Sequence, residues 1–153
     1  MTIEKINLTD DGRVYFTAYL LDSSPEMFFS GKRPAVLVCP GGGYVCTSDR
    51  EAEPIAMAFA AQGFHTFVLR YSVSKYAAFP NSLVELARTV KIIRENSEIW
   101  GIIADNIAVA GFSAGGHLTA SLGVYWNDPE IQRLAGCAGE EDKPNALILN
   151  YPV

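Results

Sequence analysis

The stretch Gly111-Phe112-Ser113-Ala114-Gly115 follows the apolar run 107–110 and leads into the segment 116–122. This pattern predicts a strand, a tight turn and a helix, with the Ser113 hydroxyl raised above the end of a sheet. The flanking glycines are a steric requirement, because a strained bend brings strand and helix backbones too close for a Cβ atom. The stretch therefore predicts a nucleophilic serine, and an ordinary glycine-rich β–α turn is the alternative.

Composition limits the class of protein. The chain has 153 residues, of which 49% are hydrophobic and 19% charged, and this predicts a single domain over residues 1–153. The net charge of −5 and the lack of a Lys/Arg cluster argue against nucleic acid and membranes as partners. Residues 1–5 include an early acid, and no apolar run is long enough for a membrane span. We therefore expect a cytoplasmic protein without a signal peptide.

The cysteines argue against a metal site. Cys39, Cys46 and Cys137 form an odd set without C-x-x-C spacing or a companion pair of histidines. We expect free thiols, with no disulfide framework, no metal and no cofactor. Cys39 lies in an apolar run and is expected to be part of the core.

The predicted strands follow from runs of apolar residues. Two runs, 3–8 and 14–21, flank an Asp-Gly turn and predict an antiparallel pair. Further strands are predicted at 35–39, 65–69, 107–110 and 146–150. A loop is predicted between the break at 127–129 and the last strand.

The predicted helices lie between these strands. One runs from about 53 to 62, but its start has two interpretations. Pro54 suits a first turn at Glu53, whereas the Ser48-x-x-Glu51 spacing is typical of a capping box one turn earlier. A second, longer helix is predicted with Ser82 as its N-cap, and a third follows Ser113.

Strands that alternate with helices form right-handed crossovers and a parallel sheet, and chemistry collects at the carboxyl ends of its strands. The glycines after the strand at 35–39 allow backbone N–H groups to close on an anionic oxygen. We expect the N–H groups of Gly42, Gly43 and Ala114 to form an oxyanion hole, each contributing about 10²- to 10³-fold in rate. A flexible turn is the alternative interpretation of these glycines.

A serine nucleophile needs a general base, usually a histidine oriented by a carboxylate. The chain has two histidines. His65 precedes its strand and should lie at the opposite end of the sheet, roughly 16 Å from Ser113, while His117 is held inside the helix after the serine. Asp49 is at the correct end but has no histidine beside it. The acids expected in loops at the wrong end are Asp105, Asp128, Glu140, Glu141 and Asp142.

Four separated motifs carry a family resemblance: Pro40-Gly41-Gly42-Gly43-Tyr44, residues 48–56, residues 69–73 and residues 111–118. Together they resemble α/β-hydrolase esterases of the acetyl esterase and acetyl-xylan-esterase-like group, over residues 32–153. The resemblance implies an α/β-hydrolase fold, with three αβα layers and a mostly parallel sheet whose N-terminal strands are antiparallel. Hormone-sensitive-lipase relatives have His where Pro40 stands.

In that family the triad follows the order Ser, Asp, His, so the resemblance implies that the acid and base lie beyond Val153. The domain is then incomplete at its carboxyl terminus, ending after about the sixth strand. We expect the last strand to present an apolar edge through which the chain associates, with itself or with a partner.

The resemblance implies a serine carboxylesterase that hydrolyses short-chain acyl esters, acetylated sugars among them, through an acyl-enzyme on Ser113. Its partner is a small-molecule ester. The aromatic residues expected to bind substrate, with simple packing as the alternative, are Tyr44, Tyr71, Tyr76, Phe79 and Tyr151. Two other functions stay open: a catalytically inactive hydrolase fragment or binding subunit, and an acyltransferase or thioesterase.

Overall fold

Residues 1–27 and 31–153 are the part of the chain that the computed structural model describes. The strands are β1 (Thr2–Asn7), β2 (Tyr15–Leu20), β3 (Arg33–Cys39), β4 (His65–Arg70), β5 (Ile102–Phe112) and β6 (Ala146–Asn150). The α-helices are α1 (Glu53–Ala60), α2 (Asn81–Glu95), α3 (Ser97–Trp100), α4 (Ala114–Tyr125) and α5 (Pro129–Ala135).

The strands form one mixed sheet in the order β1-β2-β4-β3-β5-β6. β1 pairs with β2 and β2 with β4 in antiparallel fashion, while β4, β3, β5 and β6 are parallel. Cys39 pairs with Gly111, which in turn pairs with Leu149. The carboxyl ends of three parallel strands therefore finish side by side, which confirms the predicted arrangement.

Helices cover both faces of this sheet, as the three-layer prediction requires. Val36 and Val38 of β3 pack towards α1 on one face. Leu37 and Cys39 belong to the larger core on the other face, with α2, α4 and α5. Because β3 is buried on both faces, its sequence is continuously apolar rather than alternating. Cys39 is thus a core residue, as expected, and burial raises the pKa of its thiol to about 12.

Neither α1 nor α2 begins with a hydrogen bond to a capping side chain. α1 begins at Glu53 with Pro54 in its first turn, so the first of the two interpretations holds. Residues Asp49–Glu51 form a separate 3₁₀ turn, and the Ser48 side chain caps nothing. The prediction of Ser82 as N-cap was wrong, because its buried Oγ donates to the Ser72 carbonyl at 2.8 Å and α2 already starts at Asn81.

Two further boundaries correct the sequence prediction. β5 starts at Ile102 rather than at 107, so Asp105 lies in a strand and not in a loop. Residues expected to be loop form α5, whose start is capped by the Asp128 carboxylate. Asp128 Oδ1 accepts hydrogen bonds from the N–H groups of Glu130 at 2.9 Å and Ile131 at 3.1 Å. An aspartate followed by proline is a signal for the start of a helix, whereas the sequence prediction for residues 127–129 is only a break.

β6 is an edge strand of the sheet in the described residues. Leu147, Ile148 and Leu149 are 37%, 36% and 44% exposed, which gives the apolar edge that we expected. Association through this edge stays a prediction. Among the described residues, no helix combines the length and apolar character that crossing a membrane requires.

Asp128→Ala should lower the free energy of unfolding by about 1 kcal/mol, because two N–H groups at the start of α5 lose their acceptor. Urea unfolding followed by tryptophan fluorescence measures the change. Asp10→Ala, in the exposed turn between β1 and β2, is the matched control and should change stability by less than about 0.5 kcal/mol. Equal effects of the two substitutions would show that the cap contributes nothing.

Candidate active site

Ser113 occupies a strained bend between β5 and α4. Its φ of 52° and ψ of −118° belong to a region that L-residues rarely adopt, and such strain persists only when the surroundings impose it. The Ser113 N–H donates to the Asn150 carbonyl at 3.0 Å, and its carbonyl accepts from His117 N–H at 2.9 Å. The predicted strand, turn and helix are therefore present, with the half-buried serine at the bend.

The glycines around Ser113 are required by close backbone contacts. A Cβ atom on Gly111 would lie 2.2 Å from the Gly115 carbonyl oxygen. One on Gly115 would lie 2.0 Å from the Cys39 carbonyl oxygen, at the end of β3. The bend is therefore packed directly against the start of the glycine loop, which leaves no room for a side chain between them.

The glycine loop that follows β3 lies against the serine. A Cβ atom on Gly41 would be 2.9 Å from Ser113 Cβ. The loop is closed by its carbonyl groups, since Gly41 O accepts from Ser48 N–H at 2.8 Å and Gly42 O from Val45 N–H at 3.0 Å. Gly42 and Gly43 have φ values of 131° and 61°, which favour glycine.

Three backbone N–H groups remain available beside the bend. In the part of the chain that the structure describes, the N–H groups of Gly42 and Gly43 donate to no protein acceptor. Ala114 is the first residue of α4, where N–H groups have no intrahelical acceptor and the helix dipole is positive. The N–H of Ser113 itself is already used by Asn150. The geometry leaves free the same three groups that the sequence predicted as oxyanion donors, a role that stays a prediction.

Glu51 is a residue that the sequence analysis assigned only to a capping box. Its Oε2 atom accepts the Gly41 N–H at 2.8 Å, and its Oε1 atom accepts the Tyr151 hydroxyl at 2.9 Å. The hydrogen bond to Glu51 raises the pKa of the Tyr151 phenol. The carboxylate thus connects the glycine loop to the chain that follows β6.

A cavity of about 330 Å³ opens beside Tyr44, the residue that follows the glycine loop. Its walls are mainly apolar and are formed by Tyr44, Ala77, Phe79, Pro80, Ser82, Leu83, His117, Leu118 and Ser121. The hydroxyl of Tyr44 and Nδ1 of His117 are 2.8 Å apart. Burial raises the pKa of Tyr44 to about 12, so the phenol keeps its proton at neutral pH.

The structure brings together two of the five predicted substrate-binding aromatics. Tyr44 and Phe79 line the same cavity. Tyr71 is buried beneath, where its ring packs edge-on at 6.0 Å from Tyr44 and its hydroxyl donates to the Pro40 carbonyl at 2.6 Å. Burial raises the pKa of the Tyr71 phenol, which stays a hydrogen-bond donor.

The other two predicted aromatics lie elsewhere. Tyr76 lines a second cavity of about 410 Å³ together with Tyr71, and the Arg13 guanidinium lies 3.8 Å from the centre of the Tyr76 ring. Tyr151 is 62% exposed and packs against Phe112. Contact of any of the five aromatics with substrate stays a prediction.

Neither histidine is placed to act as the base for Ser113. His65 begins β4, opposite Ala35 and at the far end of the strands from the bend. The Nδ1 atom of this buried histidine accepts the Leu21 N–H at 3.0 Å, and burial lowers the pKa of His65. Both observations agree with a structural role. His117 is bonded through Nδ1 to Tyr44, and no hydrogen bond joins its ring to Ser113 in the described residues.

The carboxylates near this end of the sheet have other partners. Asp49 forms an ion pair with Arg70 at 2.8 Å, and Arg70 also holds the Thr47 carbonyl at 2.8 Å. Within residues 1–27 and 31–153, no group of three His, Cys, Asp or Glu side chains is arranged to hold a metal ion. The described site therefore consists of a strained serine, free backbone donors and an apolar cavity.

A buried carboxylate holds the loop after β4 that forms one wall of the cavity. Glu85 of α2 accepts the Ser72 N–H at 2.7 Å and the Ser72 hydroxyl at 2.5 Å. Arg13 donates to the same hydroxyl at 3.0 Å. Burial raises the pKa of Glu85 in spite of these hydrogen bonds.

This mixed sheet, with a strained serine between its fifth strand and the next helix, defines an α/β hydrolase. The solved structure of MGS-M1, an alpha/beta hydrolase enzyme from a Medee basin deep-sea metagenome library, superposes with a TM-score of 0.86 at 42% identity. The alignment covers 100% of this chain and 57% of that chain. The model of the BD-FAE family matches residues 24–150, and the chain belongs to that family.

Two curated relatives match over most of this chain but over little of their own length. Endo-1,4-beta-xylanase B of Butyrivibrio fibrisolvens is 35% identical over 130 residues, covering 80% of this chain and 20% of the relative. Acetylxylan esterase of Xylanibacter ruminicola is 28% identical over 149 residues, covering 97% of this chain and 27% of the relative. The chain thus spans about a quarter or less of their length.

Gly115→Ala should destabilise the protein by more than about 3 kcal/mol, because the new Cβ atom must displace the backbone at the end of β3. Gly43→Ala is the matched control. Its Cβ atom meets nothing within 4 Å, so only the left-handed backbone opposes it, at a cost of about 1–2 kcal/mol. Urea unfolding measures both variants, and a similar loss in the two would contradict the close contact.

Glu85 should make stability depend on pH in a defined direction. Because the folded state raises the pKa of this carboxyl, its stabilising contribution is complete below the unfolded value of about 4.3 and is lost as the pH rises through the folded value. The free energy of unfolding of the wild type, minus that of Glu85→Gln, should therefore fall from pH 4 towards neutrality. Urea titrations at a series of pH values test this, and a difference that is constant or rises would contradict it.

Proposed function

We propose that Ser113 is the nucleophile of a serine carboxylesterase that hydrolyses short-chain acyl esters. The observation that carries the proposal is the strained conformation of Ser113, at φ 52°, with the glycine loop packed against it. Strain of this kind is typical of functional sites, where the surrounding structure imposes a geometry that catalysis uses.

The reaction proceeds in two acyl transfers. Ser113 Oγ attacks the ester carbonyl and forms a C–O bond, while its proton passes to a general base. The negative charge on the carbonyl oxygen is stabilised by the N–H groups of Gly42, Gly43 and Ala114. The intermediate expels the alcohol, which takes up the proton from the base. Water then attacks the acyl-enzyme in the same way and releases the carboxylic acid and the free serine.

The base and its orienting carboxylate are proposed to come from outside residues 1–153. No hydrogen bond joins the imidazole ring of His65 or His117 to Ser113 in the described residues. The match to MGS-M1 covers only 57% of that hydrolase, so such structures contain a further portion in which an acid and a histidine can lie. In this proposal the chain supplies the nucleophile and the oxyanion donors of a domain that is completed elsewhere.

Acetyl groups on sugars are the proposed substrate class. The proposal is supported by the name of the relative from Xylanibacter ruminicola, an acetylxylan esterase, and by its match to 97% of this chain. The apolar cavity beside Tyr44 and Phe79 offers a place for the uncharged part of a small ester. The proposed partner is therefore a small molecule.

Ser113→Ala should lower the turnover of p-nitrophenyl acetate by the natural full-length protein at least about 10³-fold, because the acyl-enzyme cannot form. Ser24→Ala, in the loop after β2, is the control and should leave turnover unchanged. Equal rates in wild type and Ser113→Ala would remove the nucleophile. Binding of the ester without turnover by the wild type would favour an inactive binding protein, and transfer of the acetyl group to an added alcohol or thiol would favour an acyltransferase.

A further inference from the structure

The half-buried carboxylate of Glu51 is hydrogen bonded to two segments that flank the nucleophile. One oxygen accepts the N–H of Gly41, and the other accepts the hydroxyl of Tyr151. We propose that Glu51 is a positioning residue that fixes the glycine loop in the orientation that directs its N–H groups at the oxyanion. This inference rests on the proposed esterase function and concerns how the oxyanion hole is held, since the Glu51 carboxylate is hydrogen bonded to Gly41 and Tyr151 and, in the described residues, not to Ser113.

The position of Gly41 explains why such an anchor is needed. Gly41 is buried, and a Cβ atom there would lie 2.7 Å from Glu51 Oε2 and 2.9 Å from Ser113 Cβ. The carboxylate and the serine side chain thus border the same small space. Without its acceptor the buried N–H of Gly41 would be unsatisfied, and the peptide could find a new partner by rotating. Such a rotation would also turn the N–H groups of the next two glycines.

Tyr151 connects the same anchor to the far side of the serine. It directly follows Asn150, whose carbonyl holds the Ser113 N–H at 3.0 Å. Tyr151 has a φ of 36°, a left-handed value unusual for a residue with a side chain, and its ring packs at 6.0 Å from Phe112. The strained backbone and the ring contact together bring its hydroxyl to Glu51.

These contacts form a closed circuit around the nucleophile. Glu51 is hydrogen bonded to Gly41 on one side and to Tyr151 on the other. Asn150, the neighbour of Tyr151, is hydrogen bonded to Ser113, and Ser113 packs on Gly41. The circuit joins the carboxyl ends of β3, β5 and β6. A hydrogen bond to a carboxylate is shorter and stronger than one to a neutral acceptor, so an acid is well suited to hold the loop. Positional errors of about 1 Å can cost about 100-fold in rate, which is why the anchor matters.

The test compares three variants of the natural full-length protein. Glu51→Ala should lower kcat for p-nitrophenyl acetate about 10- to 100-fold and change KM less than about 3-fold, because transition-state binding is lost rather than substrate binding. Glu51→Gln keeps an oxygen that can accept the Gly41 N–H and should retain at least about a third of kcat. Glu53→Ala is the matched control. Glu53 lies in α1 and accepts a hydrogen bond from the Tyr19 hydroxyl at 3.1 Å, and its loss should leave kcat within about 2-fold.

A second readout separates positioning from a general loss of folded protein. A trifluoromethyl ketone mimics the tetrahedral intermediate, so its inhibition constant should rise in Glu51→Ala by the same factor as kcat falls. Tyr151→Phe removes one hydrogen bond from the same carboxylate at an exposed position. It should lower kcat about 3- to 10-fold at constant KM, which gives a variant that folds even if Glu51→Ala does not.

Each outcome decides the inference. An unchanged kcat in Glu51→Ala and Tyr151→Phe overturns it, as does an equal loss in Glu51→Gln and Glu51→Ala, because the role requires an acceptor and not a particular residue volume. A kcat loss without the matching change in ketone inhibition assigns Glu51 to the fold and also overturns it. A wild type without any Ser113-dependent turnover would instead refute the proposed function, and the positioning role with it.

Discussion

The close approach of three stretches of backbone is the constraint on which this site depends. The end of β3, the end of β5 and the start of α4 meet where Gly111 and Gly115 leave no space for a Cβ atom. This contact forces Ser113 into a conformation that it would not adopt in isolation. The energy that holds the strain comes from the buried sheet and its two covering layers, so the chemistry of one residue depends on the packing of the whole domain.

The register of the sheet determines which groups surround the serine. Cys39, Gly111 and Leu149 share one row across three parallel strands, so the residues that follow them emerge together. The glycine loop, the strained bend and the segment after β6 are neighbours for this reason. Each contributes a different element: free N–H groups from the loop, the strained serine from the bend, and the carbonyl of Asn150 that accepts the serine N–H.

Much of this arrangement could be predicted from the sequence, because several local patterns are each explained by one physical requirement. The glycine spacing around Ser113 gave the bend, and the limits of β6 agree with its apolar run. Local signals failed where tertiary contacts compete for the same side chain. The sequence predicts Ser82 as a helix cap, but its hydroxyl donates a hydrogen bond to the Ser72 carbonyl. The spacing of Glu51 is typical of a capping box, but its carboxylate accepts a hydrogen bond from the glycine loop. Neither partner is close in sequence, so no spacing rule could reveal it.

The most direct measurement is a crystal structure of the natural full-length protein after reaction with a p-nitrophenyl phosphonate, which leaves a tetrahedral phosphonyl group on an active nucleophile. We predict that phosphorus is bonded to Ser113 Oγ and that the phosphonyl oxygen lies about 2.7–3.1 Å from the N–H groups of Gly42, Gly43 and Ala114. A phosphonyl group on another residue, or one on Ser113 whose oxygen points away from the glycine loop, would contradict the proposed site.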